Sequence, residues 1–364
     1  MKNIIIALII IVAIWIGWSV YQTSSPNLNE VVKIGVMMPL TGDVATYGQS
    51  VKTAVEYAAS QAGLEQVEII FEDSKCEGKD AANAINKLIN IDQVSVVIGE
   101  LCSGATLAAA PIAEQNQVVL ISPASTSPDL TDAGDYIFRT IPSDALQGAF
   151  AADLVNAQDA RRLAIIYSND DYGQGFEAVL RQKFSELGGT VVASEAVERG
   201  STDARTQLTK IRAASPDAVY IISNSTAATV AILKQMKEVG IVNIPVLGSE
   251  GLRSPDIIEG AGVAAEGLIV SSVSSGTSEF ISGYQEVYGS EPGPFAAQAY
   301  DAFMIIANAI KSGAATGTEI KDAISGITYE GASGTITFDT NGDVTGGYDV
   351  VIVNDGQFKA VSNQ

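Results

Sequence analysis

The chain of 364 residues is longer than one ordinary domain and predicts two, and its hydrophobic fraction of 47% against 17% charged residues excludes a disordered polymer. Its 42 acidic against 21 basic residues give a formal charge of −21, which repels nucleic acid phosphates and anionic membranes and makes a nucleic-acid partner unexpected. The absence of histidine removes Ser-His-Asp and Cys-His catalysis and every His-ligated metal site.

Met1-Lys2-Asn3 precedes an uncharged apolar run from Ile4 to Val20, with Trp15 and Trp18 near its outer end. That length lies between a secretory core and a spanning helix, and tryptophans suit a membrane interface. No small-x-small cleavage site and no lipid-acceptor cysteine follow, so residues 4–20 are expected to anchor the chain, with 1–29 as anchor and polar linker. A cleaved signal is the alternative. Under either reading the remainder is exported, to a periplasm or cell surface.

Val31 to Met38 is an apolar strand run ending at Pro39, a loop carries Tyr47-Gly48, and Ser50 to Ala62 has helical periodicity. A strand at Val67, a helix from Asp80 to Ile91, a strand at Val94, a helix from Ser103 to Asn116 and a strand at Val118 continue the alternation. Tyr136 to Ile141 interrupts it. The rhythm then restarts, with helices over 144–157, 175–187, 204–213 and 227–239 and strands over 163–167, 190–195, 218–222 and 245–247. Such alternation predicts an α/β protein of two doubly wound parallel-sheet lobes with a cleft between them. Past Leu268 to Val273 the pattern is helical, chiefly over 296–312, and Thr335 to Phe338 with Tyr348 to Val353 reads as a hairpin.

Cys76 and Cys102 are the only cysteines, and an even count in an exported chain favours a disulfide over two free thiols. Each lies just past a predicted strand, so a bridge would pin the loop that carries Ser103. Two buried-strand signals, Val94 to Ile98 and Val118 to Ile121, empty into loops of small hydroxyl-bearing residues, Gly99 to Ser103 and Ser122 to Thr126. In an open parallel sheet such loops meet at the carboxyl ends of the strands, where ligands bind. Ser103 opens a helix, so its hydroxyl and the free amides beside it suit an anion such as a carboxylate. As a lone residue it would more simply be a helix cap.

Met38-Pro39-Leu40-Thr41-Gly42 with Tyr47-Gly48, Gly99-Glu100-Leu101-Cys102-Ser103, Ile121-Ser122-Pro123-Ala124-Ser125-Thr126, Phe138-Arg139-Thr140, Gln147-Gly148, Asp171-Tyr172-Gly173-Gln174-Gly175 and Gly248-Ser249-Glu250-Gly251 resemble the leucine/isoleucine/valine-binding proteins of ABC importers. The likeness keeps order and spacing from about Val31 to Phe358. It implies a type I periplasmic binding protein fold, with lobe 1 formed by 31–143 plus 273–346, lobe 2 by 144–272 plus 347–364, and three hinge crossings. The family's disulfide falls on Cys76 and Cys102.

The resemblance also implies that Ser103, Ala124, Ser125 and Thr126 hold the carboxylate and ammonium of an amino acid, with Tyr172 and Glu250 from the second lobe. Tyr47 and Asn224 complete the expected ligand-binding set. An α-amino acid needs donors, here Ser103 and Thr126 with their amides, and acceptors, here Glu250 and a carbonyl near Ala124. One departure stands out: where branched-chain binders carry tyrosines, this chain has Ser223-Asn224-Ser225-Thr226, which suits a different amino acid from leucine. The sequon match at Asn224 is read as chance, because a glycan would block the cleft.

Two further signals are set aside. Gly173-Gln174-Gly175 lies too far past its strand for a dinucleotide turn, and Asp339 to Val350 lacks the glycine and the final glutamate of a calcium loop. Neither a cofactor nor a metal is expected, and no nucleophile-base pair marks an enzyme. The expected role is capture of an amino acid for an ABC permease, with a ligand-sensing receptor domain as the alternative use of the same cleft.

Overall fold

The computed structural model describes residues 31–64 and 67–361, and the expected anchor over 4–20 lies outside them. Among the described residues no helix is long and apolar enough to cross a membrane. The first sheet contains β1 (Val32–Met38), β2 (Val67–Asp73), β3 (Val96–Gly99), β4 (Val119–Ser122) and β5 (Ile137–Arg139), all parallel, in the order β2-β1-β3-β4-β5. They alternate with α1 (Ala45–Ala62), α2 (Gly78–Asn90) and α3 (Ser103–Gln115). Because β1 pairs with both β2 and β3, the chain reverses its direction of travel there, and the loops after β1 and β3 open a crevice.

The second sheet follows α4 (Asp144–Asn156). It contains β6 (Arg162–Ser168), α5 (Asp171–Glu186), β7 (Thr190–Val197), α6 (Arg205–Ala213), β8 (Ala218–Ile222), α7 (Thr226–Glu238), β9 (Val246–Gly248), α8 (Pro255–Ala261) and β10 (Ile269–Ser272). The chain then returns through α9 (Ser278–Tyr288), α10 (Ala296–Lys311) and α11 (Gly317–Ile324), which pack on the first sheet's core. It adds β11 (Thr328–Glu330) and β12 (Thr335–Thr337), and crosses again to β13 (Asp349–Asn354) and β14 (Gln357–Ala360). The second sheet runs β14-β13-β10-β9-β8-β6-β7, with β13 and β14 antiparallel.

Strands such as β3, β4 and β8 are buried along their whole length, which explains their uninterrupted apolar sequence. Helices cover both faces of each sheet. On one face of the first sheet α1 and α10 enclose Ile34, Val36 and Ile98, and on the other α2 and α3 enclose Met37, Val97 and Leu120.

Three expectations are corrected. α1 begins at Ala45 and α5 at Asp171, earlier than the periodicity places them, and α5 does so because the Asp170 carboxylate caps it, accepting from Gly173 N at 2.9 Å. The hairpin expected from Thr335 to Phe338 and Tyr348 to Val353 does not form. β12 pairs with β11, β13 pairs with β10 and β14, and only Phe338 and Val344 bridge. The two runs belong to different cores: Ile336 and Phe338 are buried with the first sheet, Val351 and Val353 with the second.

Tyr136 to Ile141, where the alternation pauses, supplies β5, whose Arg139 is buried. Its guanidinium forks onto Asp343, with Nη2 donating to Oδ2 at 2.7 Å, and Nη1 donates to the Ser127 carbonyl at 2.8 Å. The turn that resembled a calcium loop is thus spent on tying the returning chain to β5.

Candidate functional site

The loops after β1, β3 and β4 and those after β6, β8 and β9 face one another across the crevice. Tyr47, Ser103, Ala124, Tyr172, Asn224 and Glu250 line a single cavity there. Pro39 and Leu101, from the motifs quoted above, supply apolar wall together with Val44 and Phe295, which no sequence signal singled out. Contacts spanning the two bodies close it. Tyr47 Oη donates to the Gly251 carbonyl at 2.8 Å, and Arg199 donates to the Cys76 carbonyl at 3.0 Å and pairs with Glu77. A Cβ on Gly104 would lie 2.2 Å from Asp171 Oδ2, so a side chain there would push the Asp171 carboxylate aside.

One pole of the cavity is rich in donors. Ser103 is the first residue of α3 and not its cap, which is Cys102. Its Oγ accepts from Ser127 N at 3.1 Å, which leaves the hydroxyl hydrogen free to donate. Beside it stand the first-turn amides of α3, which the helix itself does not use. The Cys76–Cys102 disulfide forms, with Cα atoms 5.4 Å apart. Buried Glu100 braces the same loop, accepting from Cys102 N and from Ser74 Oγ, each at 2.5 Å. Burial pushes the Glu100 carboxyl up to about 7 against those hydrogen bonds.

The opposite pole is rich in acceptors. Glu250 opens a short 3-10 turn, Glu250–Leu252, and is only 5% exposed, so its carboxyl is buried. Its Oε2 has no hydrogen-bond partner, and neither do Asp144 Oδ1 and Gln147 Oε1. Burial raises the Glu250 carboxyl to about 7 and holds that of Asp144 well above the carboxylate range, with Glu250 adding repulsion.

Two expected residues depart from their assignments. Neither Ser125 nor Thr126 lines the cavity. The Ser125 hydroxyl donates to the Glu100 carbonyl at 3.0 Å and lies 2.6 Å from Thr106 Oγ1, so it holds the loop together. Thr126 Oγ1 donates to Asp144 Oδ2 at 2.8 Å, so its hydroxyl hydrogen is spent and only its lone pairs remain to offer.

Tyr172 lies in the first turn of α5 and not in a loop, and its hydroxyl donates to Ser249 Oγ at 2.7 Å, which presents the ring to the cavity. Asn224 is fixed by donating to Asp170 Oδ2 at 2.7 Å and accepting from Ser168 Oγ at 3.3 Å. Asp144 and Gln147, the latter from the Gln147-Gly148 match, are buried on α4 and are not among the residues lining the cavity. Pro142-Ser143 marks a helix start, but nothing in the sequence turns that helix toward the crevice. No group of His, Cys, Asp or Glu suited to a metal ion occurs among the described residues.

A donor pole, an acceptor pole and an apolar wall between them match a small zwitterion with an apolar portion. Known proteins share this fold. A family model described as periplasmic binding protein matches residues 31–357. The leucine-, isoleucine-, valine-, threonine- and alanine-binding protein of Pseudomonas aeruginosa is 28% identical over 329 residues, covering 86% of this chain and 87% of that one. The crystal structure of a leucine-binding protein from Thermotoga maritima superposes with a TM-score of 0.85 at 32% identity, covering 91% of this chain and 98% of that one. A branched-chain amino acid transporter substrate-binding protein of Streptococcus pneumoniae, in complex with isoleucine, gives 0.82 at 29% identity over 91% and 99% of the respective chains.

Proposed function

This chain belongs to the type I periplasmic binding proteins of the leucine/isoleucine/valine-binding family, and from that membership we propose that it captures an α-amino acid between two lobes and delivers it to an ABC permease. The observation that carries this is the opposition of Ser103 and the α3 amides to the unpartnered Glu250 Oε2 across one cavity. A carboxylate fits the first pole and an ammonium the second. Transfer of either charge into a water-poor cleft is offset only if both find partners.

In this reading the lobes are 31–143 with 273–346 and 144–272 with 347–364. Ser103, Thr126 N–H and the α3 amides take the carboxylate. Glu250, the Thr126 hydroxyl oxygen and the Ala124 region take the ammonium, and Tyr47, Tyr172, Asn224 and Phe295 enclose the side chain. Ser223 to Thr226, small and polar, favour small or hydroxyl-bearing amino acids alongside the branched-chain ones. The protein acts outside the cytoplasm. The run Ile4 to Val20 supports an N-terminal membrane anchor that keeps the binding lobes near their permease.

Thermal-shift screening of a fragment starting at Asn29 against the twenty amino acids tests the reading. Stabilisation by one or a few of them is expected, and no response to any would overturn it.

A further inference from the structure

Among the described residues the chain passes between the two sheets three times, after β5, after β10 and after β12. The middle passage, from Val273 to Thr277, is held by side chains from both bodies. Arg253, which follows the Glu250–Leu252 turn on the second body, donates through Nη1 to Ser272 Oγ at 3.1 Å and to the Val273 carbonyl at 3.2 Å. Ser272 Oγ adds its own hydrogen to that carbonyl at 3.0 Å. Gln298, in the first turn of α10 on the first body, donates through Nε2 to the Ser274 carbonyl at 3.0 Å, and the Thr277 amide beyond it donates to the Ala332 carbonyl at 2.8 Å. The grip passes from one body to the other between two successive carbonyls.

We propose that Ser274 is the pivot of this crossing, that Arg253 and Gln298 are its positioning residues, and that Arg253 makes the Glu250 turn and the crossing move as one piece, so that a ligand held at Glu250 sets the angle between the bodies. This rests on the capture reading above and deepens it by naming how that site is coupled to closure.

Covalent geometry locates the pivot. A peptide unit is planar, so a hold on the Val273 carbonyl fixes the 273–274 unit and a hold on the Ser274 carbonyl fixes the 274–275 unit. Only φ and ψ of Ser274 lie between them. With one unit travelling with the second sheet and the next with the first, rotation of the bodies along this crossing falls on those two torsions, and a few such residues absorb a hinge motion. Gln298 also steadies the first crossing, its own carbonyl accepting from Thr140 Oγ1 at 2.9 Å. The third crossing is free to follow, because it contains Gly346 and Gly347, and a Cβ on Gly347 would meet nothing within 4 Å.

The link to the ligand site is three residues long. Glu250 borders the ligand cavity and also a second, larger cavity that Arg253, Ser274 and Gln298 border. The Arg253 amide donates to the Glu250 carbonyl at 2.9 Å, which closes the turn, and the Gly251 carbonyl within it accepts from Tyr47 of the first body. The guanidinium thus fixes to the crossing one end of a turn whose other end faces the ligand. Gln298 is 2% exposed and its Oε1 has no partner, so closure keeps dry an acceptor that opening hydrates. That cost favours opening in the free protein, and ligand contacts offset it on capture.

Spin labels on the full-length protein at Asn86→Cys on α2 and Gln182→Cys on α5, exposed positions on opposite bodies, report the distance between the bodies by double electron–electron resonance. Without ligand, Gln298→Leu and Arg253→Met are each expected to broaden the distance distribution. Ser274→Gly removes neither grip and frees the pivot torsions, so it should broaden the distribution as well, and it keeps the pivot testable should a buried variant fail to fold. With L-leucine and L-threonine as probes, the parent distribution should narrow. Arg253→Met should narrow less and release the bound amino acid roughly three- to tenfold faster in stopped-flow measurements, with Arg253→Lys between the two. Unchanged distributions in Ser274→Gly and Gln298→Leu would overturn the pivot. Narrowing and release equal to the parent's in Arg253→Met would overturn the coupling and leave the proposed function standing. A parent protein that responds to no amino acid would overturn the proposed function, while the ligand-free comparison still decides the pivot.

Discussion

Tyr47 Oη donates to the carbonyl of Gly251, 2.8 Å away and 204 residues along the chain, so the body built on the first sheet is tied to the one built on the second at the mouth of the cavity. Burial pushes the Tyr47 hydroxyl up to about 12, which keeps it a donor at every physiological pH. The bond exists only when the lobes are together. Tyr47→Phe is therefore expected to weaken ligand binding by roughly three- to tenfold, the value of about one hydrogen bond, chiefly through faster dissociation. Stopped-flow dissociation measurements check this, and an unchanged rate would show that the bond does not contribute to closure.

Glu250→Gln removes the ionised partner from the acceptor pole. Leaving one member of a buried charged pair unmatched costs about 3 to 5 kcal/mol, so affinity should fall by roughly two to four decades. Ser103→Ala removes one donor to a charged group and should cost less, about 1.5 to 3 kcal/mol. Calorimetric titration of both variants ranks them. Equal affinity of Glu250→Gln and the parent protein would mean that no ammonium sits at that pole.

Stability without ligand should depend on pH in the sense opposite to that of most acid-sensitive proteins. Glu100 and Glu250 are each raised to about 7 and Asp301 to about 6 by burial, so the folded chain binds these protons more tightly than the unfolded chain does. Their contribution is complete below the ordinary carboxylate range and is lost as pH climbs through about 7, each tenfold difference in proton affinity between the folded and unfolded chain being worth about 1.4 kcal/mol. The melting temperature of the ligand-free protein should fall over that window, and Glu250→Gln should reduce the fall. A melting temperature that rises steadily from about pH 5 to 7.5 would contradict this.

The Cys76–Cys102 disulfide closes a separation of 26 residues and bounds the loop on which Arg199 docks from the other body. In the chain-entropy model it contributes at most about 3.5 kcal/mol. Reduction should lower the melting temperature by up to about 10 °C and also speed ligand dissociation, because the acceptor for Arg199 loosens with the loop. Arg199→Ala should speed dissociation by roughly two- to fivefold while leaving the melting temperature nearly unchanged, since its partner Glu77 is exposed. Differential scanning calorimetry with dissociation kinetics separates the two effects.

Much of this was legible in the residues. Alternating apolar runs gave nearly every strand and helix, because a strand buried on both faces is apolar over most of its length, as β3, β4 and β8 show. Element starts were less legible where a polar cap and not an apolar period decided them, as at Asp170 before α5. The tail departs from its expected hairpin because periodicity reports that a run is buried and not which core buries it, and Ile336 and Val351 go to different ones.

At the site, the sequence by itself placed the loops of small hydroxyl residues at the carboxyl ends of buried parallel strands, and the family resemblance named the residues expected beside them. Ser103, Ala124, Tyr172, Asn224 and Glu250 accordingly meet at one cavity with Tyr47. Only the tertiary structure decided which way each polar group points and what it has already given away. Ser125 is turned into its own loop, Thr126 has spent its hydrogen on Asp144, and Asp144 and Glu250 are both buried. Hydrogen-bond direction and the repulsion of two carboxyls depend on distances between side chains from separate elements, and those distances are set when the two sheets pack.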